Sequence, residues 1–326
     1  MNRRRVLAGA ACLVGAALAG KTPAVAQDYP SQSIRMIVPF GPGGGSDIVA
    51  RIVAQRLQEK LGQPVVIENK PGAGGTLGNE LVARATPDGY TIAIMTAGQI
   101  IAAVMNKGLR YDTRTAFQPI AQVATAGLVI VTRPDYPAKN VAELVAAAKA
   151  NPGKVVFASP GYGATQHMAA ELFKQAAGVD MLHVPFRTSP EAIAALLARQ
   201  VDILFDTVSA VLGQVESGQL RALAVTGKDR FPAVPSVPPA IESGVVPGYD
   251  VTTWYGFFGP SGMPAPVVAK LNKIILDIIA EPEVRERLIK AGVVVQGSSA
   301  EAFGAFMASE LAKWTKVREV AGLEQR

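Results

Sequence analysis

The chain has 326 residues, of which 49% are hydrophobic and 18% charged, with a net charge of +6 and a single cysteine. That length suits two domains better than one, and the composition excludes a disordered, fibrous or integral membrane protein. Residues 1–26 carry Arg3, Arg4, Arg5 and Lys21 and no acid, so without them the charge falls to +2 and nucleic-acid binding loses its electrostatic case.

Those first residues read as a targeting segment. Arg3, Arg4 and Arg5 form a basic start, residues 6–20 an apolar run, and Ala24-Val25-Ala26 a small-residue cleavage site. The run is shorter than the ~20 residues that span a bilayer. The arginines approximate a twin-arginine signal, with the general export route as the alternative. Cleavage after Ala26 and delivery to the periplasm are expected. Cys12 is lost with the signal, so the mature chain carries no disulfide, no thiol nucleophile and no cysteine metal ligand.

In chain order, residues 34–40 are a buried strand and 39–47, Pro-Phe-Gly-Pro-Gly-Gly-Gly-Ser-Asp, a glycine turn. Residues 48–61 have helical spacing and close at Gly62. Ser46 and Asp47 are expected to cap that helix, and the turn reads either as an anion cradle with free N–H groups or as an ordinary glycine-rich βα turn. A second unit follows: strand 64–68, turn 69–76, helix 77–85. Strand 90–95 completes a parallel β-α arrangement. Residues 117–132 are one long β-branched stretch, read as a strand passing between two sheets. The second half repeats the pattern, with strands at 155–158, 181–186, 201–205 and 220–226 and helices at 141–150, 166–177 and 191–199. Pro190 suits the first turn of the last of these. Residues 232–239, with four prolines, read as a surface connection, 254–258 as a return strand, and 267–279, 283–291 and 301–317 as closing helices.

Four strand-to-helix turns are thus built from Gly, Ser, Thr and Pro: 39–47, 69–76, 159–165 and 187–190. Ligands of open α/β sheets lie beyond the carboxyl ends of the strands, where these turns sit. Two such domains facing each other would converge several helix N-termini on one cleft and hold a carboxylate without catalytic apparatus.

Enzyme readings find less support. Gly41-Pro42-Gly43-Gly44-Gly45-Ser46 with Glu68 approaches a dinucleotide fingerprint, but Ser46 stands where the third glycine belongs. No Gly-x-Ser-x-Gly occurs, and His167 and His183 are the only histidines. His167 reads as a helix-start residue and His183 as a strand histidine, which leaves no metal site. Asp202 and Asp206 share one face of a strand. Asp206, at its carboxyl end, is the cleft candidate.

The ordered set Pro39–Asp47, Glu68-Asn69-Lys70-Pro71-Gly72-Ala73-Gly74-Gly75, Ala85-Thr86-Pro87-Asp88-Gly89-Tyr90, Glu171-Leu172-Phe173, Val184-Pro185-Phe186-Arg187 and Trp254-Tyr255-Gly256 resembles the solute receptors of tripartite tricarboxylate transporters, the Bug family, over the whole mature chain. The resemblance implies an α/β, two-domain periplasmic binding protein of the type II venus-flytrap kind, each domain a mainly parallel sheet flanked by helices. It implies residues 27–125 and 253–326 as domain 1 and 126–252 as domain 2. It implies a monomer that binds a small mono- or dicarboxylate, aromatic ones included, and delivers it to membrane permease subunits without enzymatic activity, metal or cofactor. The contacts it implies are Phe40, Gly43, Gly44, Ser46, Ala73, Gly74 and Thr76 from domain 1. From domain 2 come Ser159, Tyr162, Thr165, Arg187 and Asp206. The family's usual tyrosine is Phe186 here, which favours a more apolar ligand body if that ring faces the cleft. The alternatives are an exported α/β enzyme for a small anionic substrate and a ligand sensor with a membrane signalling partner.

Overall fold

The computed structural model describes residues 29–320 and 325; the signal segment and its cleavage site lie outside the described residues. Strand β1 (Ile34–Val38) leads into helix α1 (Gly45–Leu61), then β2 (Val65–Asn69), one 3-10 turn (Ala73–Gly75), α2 (Thr76–Ala83) and β3 (Thr91–Thr96). β1 lies between β2 and β3, parallel to both, with Ile37 opposite Glu68 on one side and Ala93 on the other. α1 buries Val49, Ile52, Val53 and Leu57 against this sheet. It stops at Gly62, which takes the left-handed conformation and returns its N–H to the Gln58 carbonyl.

Helix α3 (Ala97–Met105) follows β3 without a loop, its first turn capped by the Thr96 hydroxyl accepting from Gly98 N–H. Sequence periodicity misses this helix because most of it is buried and therefore apolar all round. Then come β4 (Phe117–Thr132), α4 (Val141–Ala150), β5 (Val156–Ser159), α5 (Thr165–Ala177), β6 (Leu182–Pro185), α6 (Ser189–Leu197), β7 (Ile203–Thr207), α7 (Val208–Glu216) and β8 (Arg221–Val225). α7 is a second helix absent from the sequence expectation, since it too grows directly out of a strand. The chain closes with β9 (Thr252–Pro260), α8 (Ala265–Ala280), α9 (Pro282–Lys290), β10 (Val294–Val295) and α10 (Ala300–Val320).

The strand order is β2-β1-β3-β9-β4-β7-β5-β6, with β10 and β8 also paired to β4. β4 is the shared member. Its first half pairs with β9 and β10, and its second half, from Leu128, with β7 and β8. It is the crossing strand expected from residues 117–132, and it makes two lobes of one α/β fold. Both sheets are mixed rather than purely parallel: the β-α units run parallel, while β4 and β9 add antiparallel ladders where they cross. One core lies between the first sheet and α1, α8 and α9, and another between the second sheet and α6 and α7. A third runs across both lobes on the opposite face, through α3, α4, α5 and α10. Consequently the carboxyl ends of β1, β3, β5, β6 and β7 face one another across a cleft.

Candidate functional site

The first wall of the cleft is the turn from β1 into α1. Gly44 is the N-cap in extended conformation, and no side chain caps the helix. The expected Ser46 and Asp47 cap is therefore replaced by a different device. Buried Asp47 reaches backward: Oδ2 accepts from Gly43 N–H at 3.0 Å and from Arg51 Nε at 2.9 Å. Its Oδ1 accepts from Asn69 Nδ2 at 2.9 Å, and the same amide donates to the Phe40 carbonyl at 3.0 Å. Burial pulls the Asp47 pKa up, but the bonds from Arg51, Gly43 and Asn69 outweigh it and hold the carboxyl below its usual range. One carboxylate thus ties the first glycine turn to the end of β2. The first N–H groups of α1 stay uncapped toward the cleft, where they and the helix dipole favour an anion.

The second turn adds close approach. Gly74 has φ of +66°, and a Cβ there would collide with the Tyr162 carbonyl of the opposite lobe. Gly41 packs in the same way on Thr188 Cγ2, and Gly45 on Ser209 and Thr207. The lobes are therefore in contact through glycines, and a side chain at any of these positions would hold them apart.

On the second lobe, α5 starts at Thr165 without a side-chain cap. His167 Nδ1 accepts from Gly163 N–H at 3.1 Å, which braces the turn. His167 stacks on His183 with ring centroids 4.1 Å apart, and His183 stacks on Phe157 at 4.6 Å. Ser159 lies 2.7 Å from His183 Nε2 and donates its own proton to the Gly161 carbonyl. The contact ties the end of β5 to the ring stack. Burial, with Lys174 adding to it, lowers the His183 pKa to about 4, so the ring is neutral. At α6, Thr188 caps Glu191 N–H at 3.2 Å and Glu191 Oε2 accepts from Arg187 N–H, a reciprocal capping box. That leaves the Arg187 side chain exposed at the mouth of the cleft.

Asp206 is the penultimate residue of β7 and is fully buried. Its Oδ1 accepts from Thr207 N–H at 2.7 Å and from Gln166 Nε2 at 3.4 Å. Burial raises its pKa to about 6, against the opposing effect of Ser189, Thr207 and Gln166. Although the Ser189 hydroxyl stands beside it, Oδ2 has no partner of hydrogen-bond geometry.

The cleft is lined on the first lobe by Phe40, Gly41, Gly44, Gly45 and Ser46, with Thr96, Thr253 and Tyr255 below them. On the second lobe stand Pro160, Thr165, Gln166, Arg187, Thr188, Ser189 and Thr207. Its free volume is about 20 Å³, little more than the ~10–15 Å³ that holds a water, so a ligand enters only when the lobes part. Of the sequence candidates, Phe40, Gly44, Ser46, Thr165 and Arg187 meet here. Gly43 is exposed at the rim, facing Pro190 of the opposite lobe, with its N–H given to Asp47. Ala73 is exposed, Gly74 is buried against the opposite lobe, and the Thr76 hydroxyl donates to the Ala73 carbonyl. Ser159 is held by His183, Tyr162 is exposed at the rim, and Asp206 sits behind Gln166, Ser189 and Thr207. Phe186 packs against the core beneath α6 and α7, away from the cleft wall. The lining residues not named as contacts from the sequence include Thr96, Gln166, Ser189, Thr207, Thr253 and Tyr255, which strand pairing and helix starts bring to the cleft. Thr165 Oγ1, Thr253 Oγ1 and Tyr255 OH, like Asp206 Oδ2, are buried polar atoms without a partner of full hydrogen-bond geometry.

A two-lobe α/β binding protein is the class that this fold and cleft define. Residues 49–323 match the family described as the tripartite tricarboxylate transporter family receptor, and the chain belongs to it. Among solved structures, the periplasmic binding protein BugD superposes with a TM-score of 0.87 at 38% identity, covering 91% of this chain and all of that one. Rpa4515 of R. palustris, solved with adipate, gives 0.88 at 31% identity over 92% of this chain and 100% of its own. MatC from Rhodopseudomonas palustris, with bound malate, gives 0.84 at 31% identity over 89% and 99%.

Proposed function

We propose that the protein is a monomeric periplasmic receptor that captures a small organic carboxylate between its lobes and delivers it to the membrane permease of a tripartite transporter. In this reading residues 1–26 are an export signal cleaved after Ala26. Residues 27–125 with 253–326 form one domain and 126–252 the other, hinged where β4 and β9 cross. The observation that carries the reading is the uncapped start of α1, facing a cleft of unpartnered hydroxyls. Such a start is an anion site. Family membership and the adipate- and malate-bound relatives support it.

A ligand's carboxylate would rest on the N–H groups at residues 44–46, directly or through water, with Arg187 at the mouth supplying a cation. Closure then brings Thr188, Ser209 and Thr207 onto Gly41 and Gly45, which encloses the ligand and creates the surface a permease reads. Binding without turnover is expected, as for the adipate- and malate-bound relatives. Thermal shift against a panel of small carboxylates tests this. At 100 times Kd a ligand adds about 2.7 kcal/mol, which raises the melting temperature by several degrees, at roughly 2–4 °C per kcal/mol for a chain of this size class. A panel that gives no shift, beside turnover of an anionic substrate, would sink the proposal.

A further inference from the structure

Thr253 and Tyr255 stand two apart on β9 and share the face that lines the cleft, while Trp254 turns the other way and gives its indole N–H to Glu310. They are 3% and 1% exposed, and neither hydroxyl has a partner of hydrogen-bond geometry among the described residues. A buried hydroxyl left unpaired is costly, so two on one strand face mark a place where the working state supplies partners. Tyr255 has the more definite place. A Cβ on Gly45 would overlap its hydroxyl, which therefore lies against the first residue of α1, where the helix is left uncapped. We infer that Tyr255 is a binding residue of the anion site: its hydroxyl donates to one oxygen of the ligand's carboxylate while N–H groups at the start of α1 hold the other. This rests on the carboxylate-receptor reading above, and it makes β9, which runs through the crossing between the lobes, the floor of the clamp.

The neighbouring donors and acceptors leave the Tyr255 proton available. Ser209 Oγ donates to Thr207 Oγ1 at 3.1 Å, which engages that pair with each other. Both stand beside Tyr255, and Asp206 is near enough for its charge to act on the phenol, yet none of the three is in hydrogen-bond geometry with it. Asp206 is itself engaged by Thr207 N–H and Gln166 on Oδ1. The hydroxyl thus stands among polar groups without being spent on any of them.

Its chemistry suits an anion. Burial pushes the phenol's pKa up to about 12, so it keeps its proton at any working pH, and toward a carboxylate it acts as a donor. An O–H donated to a carboxylate is short and about twice as strong as a neutral pair. A planar carboxylate has two oxygens, so it can take one donor from the helix start and one from the strand. The Arg187 side chain, the cation of the cleft, is exposed at the mouth and leaves this floor position to the hydroxyl.

The role predicts that stability and binding respond differently to Tyr255→Phe, which removes the hydroxyl alone. Because that oxygen is unpaired without ligand, the melting temperature of the ligand-free variant should be unchanged or a few degrees higher. Its affinity should fall at least about tenfold, the loss of one charge-assisted hydrogen bond. Isothermal titration with adipate, malate, hexanoate and benzoate reads the second effect. Every one of these that binds the wild type should weaken by a similar factor, because the contact is to the carboxylate they share. A hydroxyl that only braces Thr207 and Ser209 gives the reverse, a lower melting temperature with unchanged affinity. That result, or a loss confined to one ligand, would overturn the inference and leave the receptor intact. A crystal structure of the wild type with the tightest of the four is independent of how the variant folds. Tyr255 OH should lie about 2.5–2.7 Å from a carboxylate oxygen, and a hydroxyl turned away from the ligand would overturn the inference. A wild-type protein that binds neither these four nor any other small carboxylate would overturn the receptor reading itself.

Discussion

Asp47 Oδ2 accepts the backbone N–H of Gly43 at 3.0 Å, so the residue that looks like a helix cap instead fastens the glycine turn preceding the helix. The turn is held in shape from behind, and the N–H groups on its cleft side stay free.

The first prediction concerns that fastening. Asp47→Ala leaves Gly43 N–H, Arg51 and Asn69 without their shared acceptor, and a lost buried acceptor costs about 1–3 kcal/mol. Chemical denaturation should read that loss of stability, and titration calorimetry should show weaker carboxylate binding. Asp47→Asn, which keeps an acceptor but not the charge, should fall between. Unchanged affinity in Asp47→Ala would remove the fastening from the binding account.

Glycine at 41 permits closure. A methyl there collides with Thr188 Cγ2, and Thr188 cannot turn away without giving up its cap on Glu191. Gly41→Ala should therefore fold normally but bind at least about tenfold more weakly, the equivalent of 1.4 kcal/mol. Adding Thr188→Ser, which removes the methyl and keeps the capping hydroxyl, should restore binding. A double variant as weak as the single would contradict the steric explanation.

Asp206 also sets a pH dependence of stability in the absence of ligand. Its folded pKa, about 6, lies above the ordinary 3.8, and the cause is burial. Its stabilising contribution is therefore complete below the unfolded value and lost as pH rises through 6. Relative to Asp206→Asn, the wild type should gain on the order of 1 kcal/mol from pH 7.5 to 5. His183 works in the opposite sense. Its folded pKa is near 4, below the ordinary 6.5, so its contribution is present above 6.5 and lost as pH falls toward 4. Both proteins carry it, so the difference between their melting curves isolates Asp206. Parallel curves across that range would count against a buried, pKa-shifted Asp206.

The neutral state of His183 is itself measurable. Nitrogen NMR should show the proton on Nε2, given to Ser159, and no titration between pH 8 and 5.5. A midpoint near 6.5 would mean that the ring stack is loose.

Much of this architecture is legible in the sequence, because a strand, a glycine-rich turn and an amphipathic helix each leave a periodic mark. The turns at 39–47 and 187–190 and the crossing strand at 117–132 are readable for that reason. What the sequence hides are α3 and α7, which follow strands directly, α3 also being buried over most of its length. It also hides that Thr96 and Thr253 reach the cleft, which the topology rather than any motif brings about. Gly43 and Asp47 show the limit most clearly. The pattern gives a cradle, but only the three-dimensional arrangement shows that one of its N–H groups is turned away and spent.

The most direct measurement is a crystal structure of the processed protein with the carboxylate that gives the largest thermal shift. The account predicts closed lobes, with the carboxylate at about 2.8–3.2 Å from the N–H groups of Gly44, Gly45 or Ser46, directly or through one water. A ligand seated elsewhere, such as the groove between α8 and the start of α10, with those N–H groups facing bulk water, would contradict it.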